Sequence, residues 1–434
     1  MIGENATRGG IHNFMTGRYF TFVTVVRVNQ IEVARDRNEG VDEAELHTIE
    51  AVREIRGDLE AAFPGARMTW AFSWLALQDM RENYVAIRAQ VAEYQRRFGD
   101  EVTFLPGAYF APMYNSREQV NRDLHEGLVM VSKMVGNGYR PKSVVAGYLA
   151  VENMRFLAQE EDIHVCQGTI WSQFGIDNGD GDGSVVYPYY PSREHFCKPA
   201  QSAEDFIDCV CLDGWTCDFL AARRIGWGDG FNSRLGLGPI ETLMNLGPEA
   251  GLAEQIFTTG LHFDDGFKRN GFAWVTANWE TSLGVSTFHH LLAYGAEVRR
   301  RWPDVQCVSM GEFGELYRQQ HRDNSQMDYR FVERGSGICG SDKNLEIRWF
   351  MNGDFRLALL HDWTVGGQEV VIDFTRYDLK AEEPQSLGRN WSLMNRINQK
   401  GTRPQDKPVP LSELTDEDQA IIRGRLPELF ATGC

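Results

Sequence analysis

A TIM-like (β/α) barrel of seven or eight parallel strands, followed by a small β-rich unit, is the α/β fold this sequence predicts. Three observations predict it. Strand-like and helix-like segments alternate through the first three-quarters of the chain, the pattern of a parallel sheet with crossover helices. After about residue 326 the texture changes to period-two alternation between turn signals, as an antiparallel sheet requires. No GxGxxG follows the first strand and no GxxxxGK[ST] occurs, which disfavours the competing arrangement, an open doubly wound nucleotide-binding sheet. The expected domains are 1–325, the barrel, and 326–434, the β-rich unit with an extended tail.

The elements follow in order. YFTFVTVVRVNQI (19–31) is β-branched and aromatic and reads as a buried strand. In VDEAELHTIEAVREIRGDLEAAFPG, Asp42 can cap a helix and Glu45 stands at the capping-box position. Leu46, Ile49, Val52, Ile55 and Leu59 share one face, and Pro64-Gly65 stops the helix. The cycle returns with RMTWAFSWLAL and a helix to Phe98. It returns again with EVTFLPGAYF and SREQVNRDLHEGLVMVSKMVGNG, where Ser116 and Gln119 form a second capping box. Further strands are predicted at SVVAGYLA, IHVCQGTIW, DFIDCVCL, GFAWVTANW and DVQCVSM, with helices at VENMRFLAQEED and STFHHLLAYGAEVRRRW. The antiparallel unit draws on DYRFVERGSGICGSDKNLEIRWFMNGDFRLALLHDW and QEVVIDFTRYDL.

Hydrophobic residues at 42% and charged residues at 24% are ordinary for a globular chain. The net charge of −17 argues against a nucleic acid or an anionic membrane, since phosphate binding needs a basic face. A carbohydrate or other small molecule is unaffected by that objection, and a homo-oligomer stays open. No apolar run reaches about eighteen residues, so no transmembrane helix is expected. MIGENATRGG has no hydrophobic signal core; the chain as written reads as cytoplasmic, or as periplasmic or secreted if a leader was removed. The eight cysteines form no CxxC. Cys209, Cys211 and Cys217 fit no common zinc spacing and read as buried thiols.

Active sites of parallel barrels lie at the C-terminal ends of strands. Glu32 follows the first predicted strand, Tyr109 the third, Glu152 the fourth and Trp171 the fifth. Asp213 and Trp215 follow the sixth, Asn278, Trp279 and Glu280 the seventh, and Glu312 the eighth. Carboxylates interleaved with aromatic rings suit a sugar, whose C–H faces stack on rings while its hydroxyls bond to amides and carboxylates. Two carboxyls can also divide glycoside cleavage, one donating a proton to the leaving oxygen and one acting as nucleophile or base. Glu280 and Glu312 are the expected pair, with Glu152 and Asp213 in reserve. Glu32, Tyr109, Trp171, Trp215, Asn278 and Trp279 are expected around the sugar. The bland reading of any one of them is an arginine partner, a helix cap or a core ring.

The run IDNGDGDGSVVYPYYPSREHF (176–196) places Asn178, Asp180 and Asp182 at alternate positions, as a calcium loop begins. Counting twelve from Asn178 reaches Tyr189, where an EF-hand needs a bidentate Glu. The run is expected to be an active-site loop presenting Tyr187, Tyr189 and His195 to a ligand. A calcium on Asn178, Asp180 and Asp182, or a plain acidic turn, are the alternatives. The glycosidase reading needs no cofactor. Its rivals are a metal-dependent carbohydrate deacetylase or sugar isomerase, using Zn2+ or Ca2+ with His164, His195 or Asp265, and a non-catalytic glycan-binding barrel. HFDDGF (262–267) resembles the Asp-Asp-Gly opening of polysaccharide deacetylases, yet it sits in a helix-like stretch, and no two histidines form HxxxH.

Five long strings carry a wider resemblance: TVVRVNQIEVARDRNEG, NGYRPKSVVAGYLAVEN, YPYYPSREHFCKPAQ, RGSGICGSDKNLEIRWFMN and WSLMNRINQKGTRPQDKP. Together they resemble an uncharacterised bacterial family, typical of glycan-degrading bacteria, whose members carry the label glycoside hydrolase/deacetylase. The resemblance spans nearly the whole chain. It implies a (β/α) barrel followed by a small C-terminal domain of its own family, and carbohydrate chemistry on an oligosaccharide or polysaccharide. It implies no particular catalytic residue.

Overall fold

The computed structural model describes residues 15–34, 37–109, 111–147, 149–169, 187–221, 235–338, 340–388, 391, 393, 397 and 408–431. Strand β1 (Gly17–Val26) leads into a hairpin of β2 (Asn29–Ala34) and β3 (Arg37–Asp42). The strands that follow are β4 (Thr69–Ser73), β5 (Glu101–Leu105), β6 (Val144–Val145), β7 (Val165–Thr169), β8 (Val210–Asp213), β9 (Phe272–Glu280) and β10 (Gln306–Val308). All seven pair in parallel with their neighbours.

β1 is central. One of its edges pairs with β9 from Gly17 to Val25. The other is divided, with β10 against Tyr19–Thr21 and β4 against Val23–Val26. β5 continues from β4, and β6, β7 and β8 form a second parallel sheet. Among the described residues no backbone ladder joins the two sheets. Single bonds do: the Thr103 hydroxyl donates to the Ser143 carbonyl, and Thr216 N donates to Thr276 O at 2.9 Å. β4, β5, β7 and β8 are buried along their full lengths, as strands covered on both faces must be.

Two expected elements differ. The helix expected from Asp42 begins instead at Ile49, with the Thr48 hydroxyl accepting from Ala51 N. Asp42 ends β3 and accepts from Ala44 N at 2.9 Å, because Glu43 is drawn into an ion pair before the helix starts. The WLAL of the second predicted strand turns into a short helix, Trp74–Gln78, capped by Ser73.

The helix after β10, Met310–Gln320, crosses beneath the amino ends of the strands. Met310 N donates to Thr69 Oγ1 and Gly311 N to Glu101 Oε2, on the first residues of β4 and β5. Phe313 stacks on Trp274 with ring centres 4.8 Å apart, and Gly314 packs on Val165 at the start of β7.

The last quarter holds an antiparallel sheet of β11 (Asp328–Arg334), β12 (Leu345–Asn352), β13 (Phe355–Asp362), β14 (Val370–Arg376) and β15 (Val409–Pro410). Its two faces separate by residue parity along β12 and β13, and a bulge opposite Ala358 and Leu359 shifts the parity within β14. Ile347, Trp349, Met351 and Ile372 join the main core, while Phe350, Leu357, Leu359 and Phe374 pack with Ile422 and Leu426 of the terminal helix region.

Candidate functional site

Register decides which side chains meet at the carboxyl ends of the strands. Across β1 and β9, Thr21 is level with Thr276, Val23 with Asn278 and Val25 with Glu280. Level residues in parallel strands share a face, so Asn278 and Glu280 lie on one side of β9 and Trp279 on the other. Trp279 is accordingly buried among the covering helices. Its ring meets Phe22 edge-on at 5.6 Å and its indole donates to Leu237 O at 3.1 Å. It is a core ring, which corrects the expectation that it holds a sugar.

Arg27, one residue beyond β1, organises the rim. Its Nε and Nη2 donate to both oxygens of Glu43 at 2.7 and 2.9 Å, and Nη2 also donates to Glu280 Oε2 at 2.8 Å. The Tyr84 phenol holds the Arg27 carbonyl at 2.7 Å. His47 Nε2 lies 3.8 Å from Glu43, and its Nδ1 bonds the Thr281 hydroxyl. Burial opposes the charge of Arg27, but the Glu280 and Glu43 carboxylates outweigh it and raise its pKa. Burial likewise opposes ionisation of Glu43, yet the nearby His47 ring and the two hydrogen bonds from the Arg27 guanidinium prevail and hold it down to about 2. Burial pushes His47 down, so its ring favours the neutral form. Glu280 keeps 16% side-chain exposure. Beside it stands Tyr109, in a left-handed backbone conformation (φ +89°), with its phenol next to Asn278 and pushed up by burial and then by Glu280.

Asp213 ends the neighbouring strand β8, buried, accepting from Gly214 N at 2.7 Å. Trp215 follows, half-buried, and Thr216 makes the bond that ties this strand end to β9. Glu280, Asn278, Tyr109, Asp213 and Trp215 are thus the expected residues that stand at carboxyl ends of the strands.

Others are elsewhere. Glu312 ion-pairs with Arg67, which precedes Ala71 of β4 by four residues, about 13 Å along the strand. Ala71 is level with Val25, and Val25 with Glu280, so Glu280 and Glu312 sit at opposite ends of the sheet and cannot form the expected pair. A glycosidase pair needs about 5–9.5 Å. Glu32 is buried and already accepts from Val28 N, Ser73 Oγ and Leu75 N, so it braces the turn after β1 and binds no sugar. Glu152 is exposed on the first turn of the helix Val151–Glu160, beside a cavity of about 290 Å³ shared with Arg117, Arg155 and Arg193.

Tyr187 and His195, expected to face a ligand, face the core. Tyr187 stacks on Tyr329 at 4.8 Å, and fully buried His195 stacks on Phe196 while accepting from Cys197 N. Tyr189 is buried too, its hydroxyl donating to Phe196 O. The apolar rings of this stretch seal the junction with the antiparallel sheet. Trp171, Asn178, Asp180 and Asp182 lie outside the described residues. The residues expected for a metal-dependent reaction do not converge. His164 precedes β7 and bonds to Asp208, and Asp265 pairs with Arg334 from a π-helical turn, Leu261–Gly266. Among the described residues, the group with metal-ligand spacing is Glu54, Asp58 and His289, on the outer helices.

Sequence reasoning missed Arg27, Glu43 and His47. A signal existed for the first: an arginine at the end of an otherwise apolar strand must find a buried partner. Which partner depends on the hairpin β2–β3, which no periodicity reveals.

Over residues 12–351 the chain matches DUF3863, described as a domain of unknown function with a solved structure, and over 356–429 it matches DUF3864, described likewise. A crystal structure of a "putative glycoside hydrolase/deacetylase" from Parabacteroides distasonis shares 49% identity with a TM-score of 0.90, covering 95% of this chain and 98% of that one. A "probable polysaccharide deacetylase" from Pseudomonas aeruginosa PAO1 is far more distant, at 13% identity and TM-score 0.44 over 70% of this chain and 92% of that one. No curated protein matches. By these matches the chain is a member of the DUF3863 family, with a DUF3864 segment following it.

Proposed function

We propose that the protein is a carbohydrate-active hydrolase, a glycosidase acting on an oligosaccharide or polysaccharide, with Glu280 and Asp213 as its carboxyl pair. The observation that carries this reading is the placement of Glu280. It ends β9, remains reachable, and shares the Arg27 guanidinium with Glu43. A carboxylate beside a fixed guanidinium is favoured in its charged form, which suits a nucleophile or a base for water. Asp213, the more enclosed carboxyl on the adjoining strand, takes the proton-donor role. Asn278 and Tyr109 bond to sugar hydroxyls, and Trp215 offers a ring face. The 49%-identical relative, described as a glycoside hydrolase/deacetylase, supports carbohydrate as the substrate class. On this reading the two parallel sheets are arcs of one barrel, bridged by the Thr103–Ser143 and Thr216–Thr276 bonds.

The test is mass spectrometry of the protein incubated with plant and host glycans, acetylated ones included, with and without chelator. Shortened oligosaccharides that still form with chelator, and vanish in Glu280→Gln and Asp213→Asn, are expected. Acetyl loss abolished by chelator, or full turnover in both variants, would overturn the proposal.

A further inference from the structure

Three carboxyls are buried together where the segment after β8 meets the antiparallel sheet. Asp218 opens a helical turn and its Oδ1 accepts from Ala221 N at 3.0 Å. Glu333 of β11 accepts from Phe219 N at 2.5 Å and from the Trp349 indole at 3.2 Å. Glu254 projects from the helix Pro239–Gly260, fully buried. Among the described residues, no basic side chain forms an ion pair with any of the three. The hydroxyls of Thr258, Ser336 and Ser341 and the Trp349 indole share the lining, so among the described residues the titratable groups facing one another are these three carboxyls.

Asp218 Oδ2 and Glu254 Oε2 are fully buried and neither receives a hydrogen bond from a donor. The two carboxyls nevertheless lie within hydrogen-bonding reach of each other. Two ionised carboxylates cannot occupy that position: each would be desolvated, and they would repel at close range. A cation or a proton must stand between them. The engaged oxygens nearby already accept N–H groups, and the three carboxyls do not converge at metal-ligand spacing. That leaves the proton.

We propose that Asp218 and Glu254 share one proton in a carboxylic acid–carboxylate hydrogen bond, and that this bond is an alkali-sensitive latch. It ties the segment carrying Asp213 and Trp215 to the helix Pro239–Gly260, while Glu333 ties the same segment to the antiparallel sheet. Burial, then the neighbouring Asp218 charge, lifts Glu254 to about 9, and the same two causes lift Glu333 to about 8. For groups raised in the folded state, the stabilisation is complete below their unfolded pKa and is lost as pH rises through the folded values. When the shared proton leaves to solvent, two adjacent buried anions remain and the latch opens.

The experiment follows thermal unfolding of the full chain from about pH 6 to about pH 10. The wild type is expected to lose several degrees of Tm progressively as pH rises from about 6 to about 9, with little further loss from this pair above that. Glu254→Gln, whose amide donates permanently to Asp218, should keep its Tm at the acid end and show less than half the alkaline loss. An infrared carboxylic-acid carbonyl band in the wild type at neutral pH, weakened but not abolished in Glu254→Gln because the raised Glu333 keeps its own proton, is the second readout, and in the wild type it needs no variant to fold. An unchanged alkaline profile in Glu254→Gln, absence of that band, or a Tm rise with calcium or magnesium that Glu254→Gln abolishes would overturn the latch. None of these readouts depends on catalysis, so the latch and the glycosidase reading fail separately.

Discussion

Arg27 shows how much of the rim rests on one side chain. Buried beyond the end of β1, it is the common donor to Glu43 and Glu280. Removing one member of a buried charge cluster leaves the others uncompensated, which typically costs about 3–5 kcal/mol. Arg27→Met is therefore expected to lose stability on that scale in denaturant unfolding. Lysine, with no planar fork, should recover only part of it. Glu43 adds a pH signature. Its folded pKa of about 2 lies below the ordinary value, so its contribution is present above about pH 4.5 and is lost as pH falls through about 2. Glu43→Gln should flatten the acid limb of the Tm profile. For the reaction, Glu280→Gln and Asp213→Asn are each expected to lower kcat about 100-fold or more with KM little changed. Glu312→Gln should leave turnover intact and shift stability by less than about 1 kcal/mol, because its pair with Arg67 is solvent-exposed. The residue types of the rim were legible in the sequence, since acids and aromatics cluster after strand-like runs. Their grouping was not, because an Asn or Glu one position along a strand points to the opposite face.

At the level of elements, the helix Met310–Gln320 decides which end of the sheet is open. It seats across the strand starts because two of its positions have no side chain. A Cβ on Gly311 would stand 2.6 Å from Glu101 Oε1, and one on Gly314 would stand 2.3 Å from Val165 Cγ1. Gly314→Ala is expected to cost about 1–3 kcal/mol by overpacking. Val165→Ala in the same chain should return part of that loss, a coupling measurable by a double-mutant cycle. Sequence periodicity correctly marked a strand at β10, yet it placed Glu312 on the catalytic rim. The strand is real but pairs with the lower half of β1, and the two glycines then let the chain turn under the sheet. Helix starts were more legible where the cap chemistry is local: the Ser116 hydroxyl accepts from Gln119 N, as the spacing predicts.

Over the whole molecule, the two parts are joined by a shared core. The matched family segments meet between residues 351 and 356, which falls between β12 and β13 of one antiparallel sheet. Ile347, Trp349 and Met351 on one side of that boundary and Ala358 and Ile372 on the other enter the same core as β1 and β9. A chain ending at residue 351 would leave β12 with an open hydrogen-bonding edge and bare apolar faces. It is expected to be insoluble, or to show helical far-ultraviolet dichroism without fixed near-ultraviolet signals.

By itself, the sequence determined the alternation of strands and helices, the change to an antiparallel unit near residue 326, the absence of a long apolar span and the resemblance to a carbohydrate-related family. These are properties of local composition and period. Tertiary structure decided that Glu280 and Glu312 lie at opposite ends, that Trp279, Tyr187 and His195 are core, and that Arg27 binds two carboxylates. Those facts depend on strand register and on which elements cover which face, and register is set by contacts between residues far apart in the chain.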